Sequence, residues 1–127
     1  MNKVKVLIVE DMALTALGMV SKIKKLGYEV VGKAESGEDA ITAARESQPD
    51  VILMDINIKG MNGLRAAGEI LRELAIPIVF TSAYTDDTTR SQINELGVQY
   101  LVSKPYDNKL LAKAIEDSLN SKSAATS

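Results

Sequence analysis

The chain has 127 residues, a common size for a single domain, and its 46% hydrophobic and 25% charged residues are typical of a globular protein. It contains no cysteine and no histidine, which excludes disulfides, thiolate or imidazole catalysis and ordinary zinc sites. The net charge of −2 lacks the basic excess that binding of DNA or RNA by bulk electrostatics requires. Any chemistry therefore falls to carboxylates, hydroxyls, lysine or arginine, together with an oxygen-seeking metal.

The chain shows no sign of membrane insertion or export. No apolar run approaches the roughly 20 residues that a membrane-spanning helix needs. The first residues, Met1 to Lys5, lead directly into a short apolar run and have no small-residue cleavage site, which argues against a signal peptide. Together with the missing cysteines, these features predict a cytoplasmic protein with no membrane partner.

Short β-branched runs alternate with longer stretches of helical spacing along the whole chain. The runs predict five strands, at residues 4–9, 30–31, 51–54, 77–80 and 100–102. A helical stretch follows each of them. This alternation predicts an α/β fold, in which a parallel sheet is covered by helices on both faces. We expect one domain over residues 1–120 and a small, polar, flexible tail over residues 121–127.

The first two helices have recognisable ends. Leucine, valine and isoleucine recur at steps of three in the first helix, which predicts an apolar stripe. It consists of Leu14, Leu17, Val20, Ile23 and Leu26, broadened by Ala13, Ala16 and Met19. Gly27 ends that helix. Ser36, followed three residues later by Asp39, resembles a capping box and opens a second helix that runs through Ser47.

The remaining helices differ in apolar content. The third is predicted over residues 63–74, and the fifth opens at Asp107 with an inward set of Leu110, Leu111, Ala114, Ile115 and Leu119. The fourth, over residues 85–96, is rich in threonine, serine, aspartate and asparagine, which are mediocre helix formers. Its only sizeable apolar anchors are Ile93 and Leu96, so we expect it to be the least stable helix.

Polar side chains end four of the five predicted strands. They are Glu10, Asp11, Asp55, Thr81, Ser82, Ser103 and Lys104. In an open parallel sheet these positions gather at the carboxyl edge, where ligands bind. Two carboxylates about 5 Å apart repel by roughly 3 kcal/mol at an effective dielectric constant of about 20, so a lysine and a divalent cation suit the site. Each residue alone could be a helix cap or a surface residue, but their coincidence at four strand ends favours a functional site.

The ordered set of motifs resembles the receiver domain of two-component response regulators, over roughly residues 3–119. The motifs are Val6 to Asp11, Met54-Asp55-Ile56, Gly63, Pro77 to Ala83, and Lys104-Pro105. The resemblance implies a flavodoxin-like, doubly wound parallel sheet of five strands in the order 2-1-3-4-5, with five helices. No glycine-rich phosphate loop of the nucleotide-binding classes is present.

The resemblance also implies a phosphoryl-transfer site. Asp55 would accept a phosphoryl group from a sensor histidine kinase or a histidine phosphotransfer protein. Mg²⁺, or Mn²⁺, would be held by Glu10, Asp11, Asp55 and the backbone carbonyl of Asn57. Lys104 would pair with Asp55 at rest and with the phosphoryl group afterwards.

The resemblance further implies a switch hydroxyl and a switch aromatic. By position, Ser82 would be the hydroxyl that moves toward the phosphoryl group. The usual aromatic position, three residues before the lysine, is Leu101, while Tyr100 lies one place earlier and so faces the other side of the strand. Tyr84, two residues after Ser82, is a candidate substitute.

Three functions follow from these residues. The first is a non-enzymatic signalling switch that accepts a phosphoryl group and changes conformation for a downstream protein target. The second is a hydrolase resembling the haloacid dehalogenases, but the second aspartate of that family is Asn57 here. The third is an unphosphorylated pseudo-receiver that serves as an interaction module.

Overall fold

The computed structural model describes residues 3–56, 58, 62–82, 87–96, 100–104 and 108–126. The elements within them, in chain order, are β1 (Lys5–Val9), α1 (Ala13–Lys25), β2 (Glu29–Ala34), α2 (Gly37–Ser47), β3 (Val51–Asp55), α3 (Gly63–Glu73), β4 (Ile78–Ser82), α4 (Asp87–Glu95), β5 (Leu101–Ser103) and α5 (Asn108–Thr126). The strands are parallel and lie in the order β2-β1-β3-β4-β5, which confirms the predicted doubly wound sheet. Among these described helices, none combines the length and the apolarity that a bilayer crossing demands.

Each face of the sheet has its own apolar core. Successive side chains of a strand point to opposite faces, so each central strand contributes to both cores. Met54 and Phe80 pack with α2, α3 and α4 on one face. Leu53 and Val79 pack with α1 and α5 on the other. Every residue of β3 and β4 is buried, which explains why these strands read as continuous apolar runs.

Side chains and backbone conformation fix the ends of the middle helices. The hydroxyl oxygen of Ser36 accepts a hydrogen bond from the Asp39 N–H at 3.1 Å, which confirms the predicted cap of α2. The side-chain oxygen of Asn62 accepts from the Leu64 N–H at 2.7 Å and caps α3 in the same way. At the end of α2, Gln48 adopts a left-handed conformation with φ of 44°, and this turns the chain toward β3.

The prediction that Leu14 and Leu17 face the core is wrong. Their side chains are 84% and 57% exposed, and the buried face of α1 is formed by Ala16, Met19 and Ile23. An α-helix has 3.6 residues per turn, so apolar residues at steps of three drift by about 60° at each step. The stripe therefore winds away from the sheet toward the start of α1. Leu110 of α5 is also exposed rather than inward, at 56%.

Two element boundaries also differ from the predictions. β2 extends over Glu29–Ala34 rather than two valines, because an edge strand tolerates polar residues that break an apolar run. The helix α5 continues to Thr126, past the boundary at residue 120. Residues 121–126 contain no glycine or proline, and alanine and lysine favour helix. The flexibility of this segment and the low stability of α4 stay predictions.

Candidate functional site

The ends of β1, β3 and β5 bring three charged side chains into direct contact. The ammonium nitrogen of Lys104 lies 2.9 Å from Oδ2 of Asp55 and 3.1 Å from Oε1 of Glu10. These residues are separated by 49 and 94 positions in the chain, and only the sheet topology unites them. The structure therefore assembles three of the predicted site residues at the carboxyl edge of the sheet.

The cluster is largely removed from water. The side chain of Glu10 is fully buried, that of Asp55 is 9% exposed and that of Lys104 is 24% exposed. Burial raises the pKa of Glu10, and the Asp55 charge adds to this, although the hydrogen bond from Lys104 opposes it. Burial alone would lower the pKa of Lys104, but the hydrogen bonds to Asp55 and Glu10 and the negative charges of these two residues together outweigh burial and raise that pKa.

The donor set fits a small, hard cation. Glu10 and Asp55 offer buried carboxylate oxygens, and Asp11 follows Glu10 directly, half-buried at the same edge. Within the described ranges, no three acidic side chains stand close enough together to form a metal-binding group. Lys104 forms ion pairs with Glu10 and Asp55. A bound cation would neutralise the same two carboxylates in place of the lysine. Asn57, the predicted carbonyl ligand, lies outside the described residues.

Gly63 allows the chain to return close to the backbone of Asp55. The Gly63 N–H donates to the Ile56 carbonyl at 3.0 Å, immediately after β3. A Cβ at this position would lie 2.6 Å from the Asp55 carbonyl oxygen and 2.9 Å from that of Ile56. Only glycine permits this approach. The sequence motif marked Gly63, but its steric role becomes visible only in the structure.

The two hydroxyl residues that end β4 face opposite sides of the sheet. Both are buried, with Thr81 fully inaccessible and Ser82 1% exposed. The Ser82 carbonyl accepts from the Lys104 N–H at 2.8 Å, which ties β4 to the residue that reaches Asp55. Thr81 is the strand partner of Asp55 and shares its face. The role of Ser82 as a switch hydroxyl stays a prediction.

Two of the switch candidates, Tyr100 and Leu101, lie at β5 beside α5. The Tyr100 hydroxyl donates to the Asp117 carbonyl of α5 at 3.2 Å, while Leu101 packs with the α2–α3–α4 core. A cavity of about 420 Å³ lies between β5 and α5, and Tyr100, Leu101 and Leu110 line it; Glu10, Asp55 and Lys104 do not. Tyr84 lies outside the described residues. The coupling of Tyr84, Tyr100 or Leu101 to Ser82 stays a prediction.

Beside the site lies an apolar surface that the apolar spacing of α1 did not predict. Met12, Leu14 and Leu17 are 64%, 84% and 57% exposed, at the start of α1. The Met12 N–H approaches Oε2 of Glu10 at 3.4 Å, so this surface adjoins the charged cluster. At 3.6 residues per turn, Leu14 and Leu17 lie on a different side of α1 from the buried Ala16, Met19 and Ile23, although the predicted stripe contained all five.

Comparison with known proteins gives a consistent result. Residues 6–116 match the family described as response regulator receiver domain. The chain is 32% identical over 112 residues to the transcriptional regulatory protein PdtaR of Mycobacterium tuberculosis, and this match covers 88% of the chain and 55% of PdtaR. It is also 32% identical over 114 residues to protein PilH of Pseudomonas aeruginosa, covering 87% of the chain and 93% of PilH. The chain thus spans about half the length of PdtaR and most of PilH.

Solved structures share the same fold. The signal receiver domain of a modulated diguanylate cyclase from Desulfovibrio desulfuricans superimposes with a TM-score of 0.88 at 30% sequence identity. The match covers 95% of this chain and 97% of that domain. The chain therefore shares its fold with this solved domain over nearly its whole length.

Proposed function

Because the chain belongs to the response regulator receiver domain family, we propose that it is a phosphoacceptor switch whose acceptor is Asp55. The observation that supports this most is the contact of Lys104 with Asp55 and Glu10 at the carboxyl edge of the sheet. A lysine that bridges two buried carboxylates holds the acceptor in place and screens its charge. When the acceptor becomes phosphorylated, the Lys104 ammonium group leaves this contact and becomes available to a phosphoryl oxygen.

The proposed reaction transfers a phosphoryl group between two proteins. An Asp55 carboxylate oxygen attacks the phosphorus of a phosphohistidine on the partner, so that an O–P bond forms as the P–N bond breaks. The imidazole leaves with the electron pair of that bond and takes a proton, and the product is an aspartyl phosphate. Lys104 moves from Oδ2 of Asp55 to a phosphoryl oxygen. The Ser82 hydroxyl donates a hydrogen bond to another phosphoryl oxygen.

The reaction uses a divalent metal at the acidic residues. Glu10, Asp11 and Asp55 are the described residues that would hold Mg²⁺ or Mn²⁺, and the Asn57 carbonyl completes the proposed set. The bound cation supplies charge screening between the acceptor and the incoming phosphoryl oxygens. Glu10 needs such a partner once Lys104 has turned to the phosphoryl group, because its side chain is fully buried.

Phosphorylation changes the charge of the site and so its contacts. The new group adds oxygen acceptors beside Lys104 and Ser82, on the side of β4 that leads to α4. We propose that the resulting shift of Ser82 and α4 is read by a downstream protein. The domain itself then acts as a switch, with no substrate of its own beyond the phosphoryl group.

Uptake of a phosphoryl group tests this proposal. The protein is incubated with acetyl phosphate and Mg²⁺, and its intact mass is measured. We expect one phosphoryl group, retained in mild acid and lost in base, and no addition to Asp55→Asn or to a metal-free sample. Absence of uptake, together with no binding of beryllofluoride, would instead favour the unphosphorylated interaction module.

We further propose that the phosphodonor protein docks on Met12, Leu14 and Leu17. A phosphohistidine must come within bonding distance of Asp55, so its protein has to cover the surface next to the site. Met12 adjoins Glu10 through its backbone N–H, and Leu14 and Leu17 are exposed on the first turns of the helix that follows it. Large exposed apolar side chains at one patch mark protein interfaces.

Separate phosphodonors distinguish docking from chemistry. We expect Leu17→Glu to slow transfer from the cognate phosphorylated kinase or phosphotransfer protein by about 10- to 30-fold and to leave uptake from acetyl phosphate unchanged. Leu110→Glu is the matched control, because Leu110 and Leu17 are 56% and 57% exposed. Equal slowing by both variants would rule out a specific surface at α1.

A further inference from the structure

Thr81 has a buried hydroxyl with nothing to bind. Its side chain is fully inaccessible, and Oγ1 has no hydrogen-bond partner, alone among the buried side-chain polar atoms that the structure describes. A buried polar group without a partner destabilises the fold. Valine has the same shape without this cost and suits a strand equally well. The hydroxyl therefore calls for an explanation outside the packing of the resting state.

The position of Thr81 places this hydroxyl beside the acceptor. Thr81 is the direct strand partner of Asp55 on one side and of Val102 on the other. Paired residues of parallel strands point to the same face, and neighbouring strands are about 4.8 Å apart. Thr81 and Asp55 thus share the face that packs on α1 and α5, to which Val102 also belongs.

Lys104 reaches Asp55 by crossing β4. It follows β5, whereas Asp55 ends β3, and β4 lies between these two strands. The lysine side chain passes over the end of β4 to bind Oδ2 of Asp55 at 2.9 Å. In the resting state this oxygen is held by the ammonium group rather than by the nearby hydroxyl.

From this arrangement we propose that Thr81 is a positioning residue for the phosphorylated state, an inference that rests on the function proposed above. Once Lys104 has moved to the phosphoryl group, the Thr81 hydroxyl donates a hydrogen bond to the carboxyl oxygen of Asp55 that remains free of phosphorus. A rotation about the Cα–Cβ bond redirects this hydroxyl, since threonine moves between staggered rotamers. The hydroxyl thereby holds the phosphorylated side chain in a fixed orientation.

Beryllofluoride with Mg²⁺ serves as the probe, since it mimics a phosphoryl group on a carboxylate. Its affinity is measured for the wild type, Thr81→Val and Thr81→Ser, alongside thermal unfolding without the probe. We expect Thr81→Val to raise Tm and yet to weaken beryllofluoride binding by about 3- to 10-fold. Thr81→Ser retains the hydroxyl and restores the affinity. Ser118→Ala, which removes another fully buried hydroxyl, bonded to the Ile115 carbonyl, leaves the affinity unchanged.

Each other outcome has a distinct meaning. Wild-type affinity in Thr81→Val overturns the role of the hydroxyl and leaves the proposed function standing. Equal weakening in Thr81→Val and Thr81→Ser also overturns it, because a variant that keeps the hydroxyl then loses as much affinity as one that lacks it. A wild-type protein that fails to bind beryllofluoride overturns both this inference and the proposed function.

Discussion

Gly63→Ala is expected to destabilise the domain by about 2–3 kcal/mol, because the added methyl group would enter the backbone of the acceptor segment. The added Cβ would lie 2.6 Å from the Asp55 carbonyl oxygen. This oxygen belongs to the backbone, so it cannot move aside as a flexible side chain would. Relief requires a shift of Asp55 or of the start of α3. Since phosphoryl transfer depends on position, we expect uptake from acetyl phosphate to slow by roughly 10- to 100-fold.

Gly68→Ala in the same helix provides the control. A Cβ at Gly68 would meet only the Cδ2 atom of Leu96, at 3.5 Å, which is an ordinary contact. Alanine in a helix interior is more stable than glycine by about 0.5–1 kcal/mol. Urea unfolding followed by circular dichroism, which suits a chain without tryptophan, measures both variants. A Gly63→Ala protein as stable as Gly68→Ala would refute the steric role of Gly63.

Lys104→Met is expected to cost about 2–4 kcal/mol at pH 7 without metal, since it leaves two carboxylates together with no cation. The side chains of Glu10 and Asp55 are 0% and 9% exposed, so water screens them poorly. The loss stays below that of a fully buried pair because the lysine side chain is 24% exposed. Unfolding in urea at pH 7 measures it.

Acid and metal should each restore the stability of Lys104→Met. The pKa of Glu10 is already raised above its usual 4.5 by burial and by Asp55, and loss of Lys104 raises it further. A raised pKa means that the folded state binds more protons, so stability increases as the pH falls from 7 toward 4.5. Mg²⁺ should stabilise the variant more than the wild type, because no ammonium group competes for the carboxylates.

Lys113→Met shows what an exposed lysine contributes. Lys113 pairs with Asp117 at 3.4 Å, but these side chains are 75% and 50% exposed. We expect a change within about 0.5 kcal/mol and the same response to Mg²⁺ as in the wild type. If Lys104→Met behaved like Lys113→Met, the lysine would not be what holds the two buried carboxylates together.

The sheet and the charged cluster could be predicted because buried parallel strands carry a strong signal. β3 and β4 are covered on both faces, so each reads as an uninterrupted apolar run that ends abruptly in polar residues. Those endings located Asp55, and the same reasoning located Glu10 and Lys104. The contacts of Lys104 with both carboxylates follow from the strand order, which the alternating pattern favoured and the family resemblance specified.

Other features depend on three-dimensional detail that no local pattern contains. The buried face of α1 is narrower than the predicted stripe, because residues at steps of three drift around the helix and carry Leu14 and Leu17 to the exposed side. The clash that excludes a side chain at Gly63 involves the backbone of β3, and the lone hydroxyl of Thr81 depends on the rotamers around it. The sequence identifies Gly63 and Thr81, but the atoms that surround them are known only from the folded structure.

The identity of the phosphorylated atom is the most direct test of the proposed switch. The protein is treated with acetyl phosphate and Mg²⁺ and then with borohydride, which reduces an aspartyl phosphate to homoserine, and peptide masses locate the change. We expect homoserine at position 55 alone, and none when Mg²⁺ is withheld or in Asp55→Asn. A phosphoryl group that resists borohydride, or homoserine at any other position, would contradict Asp55 as the acceptor.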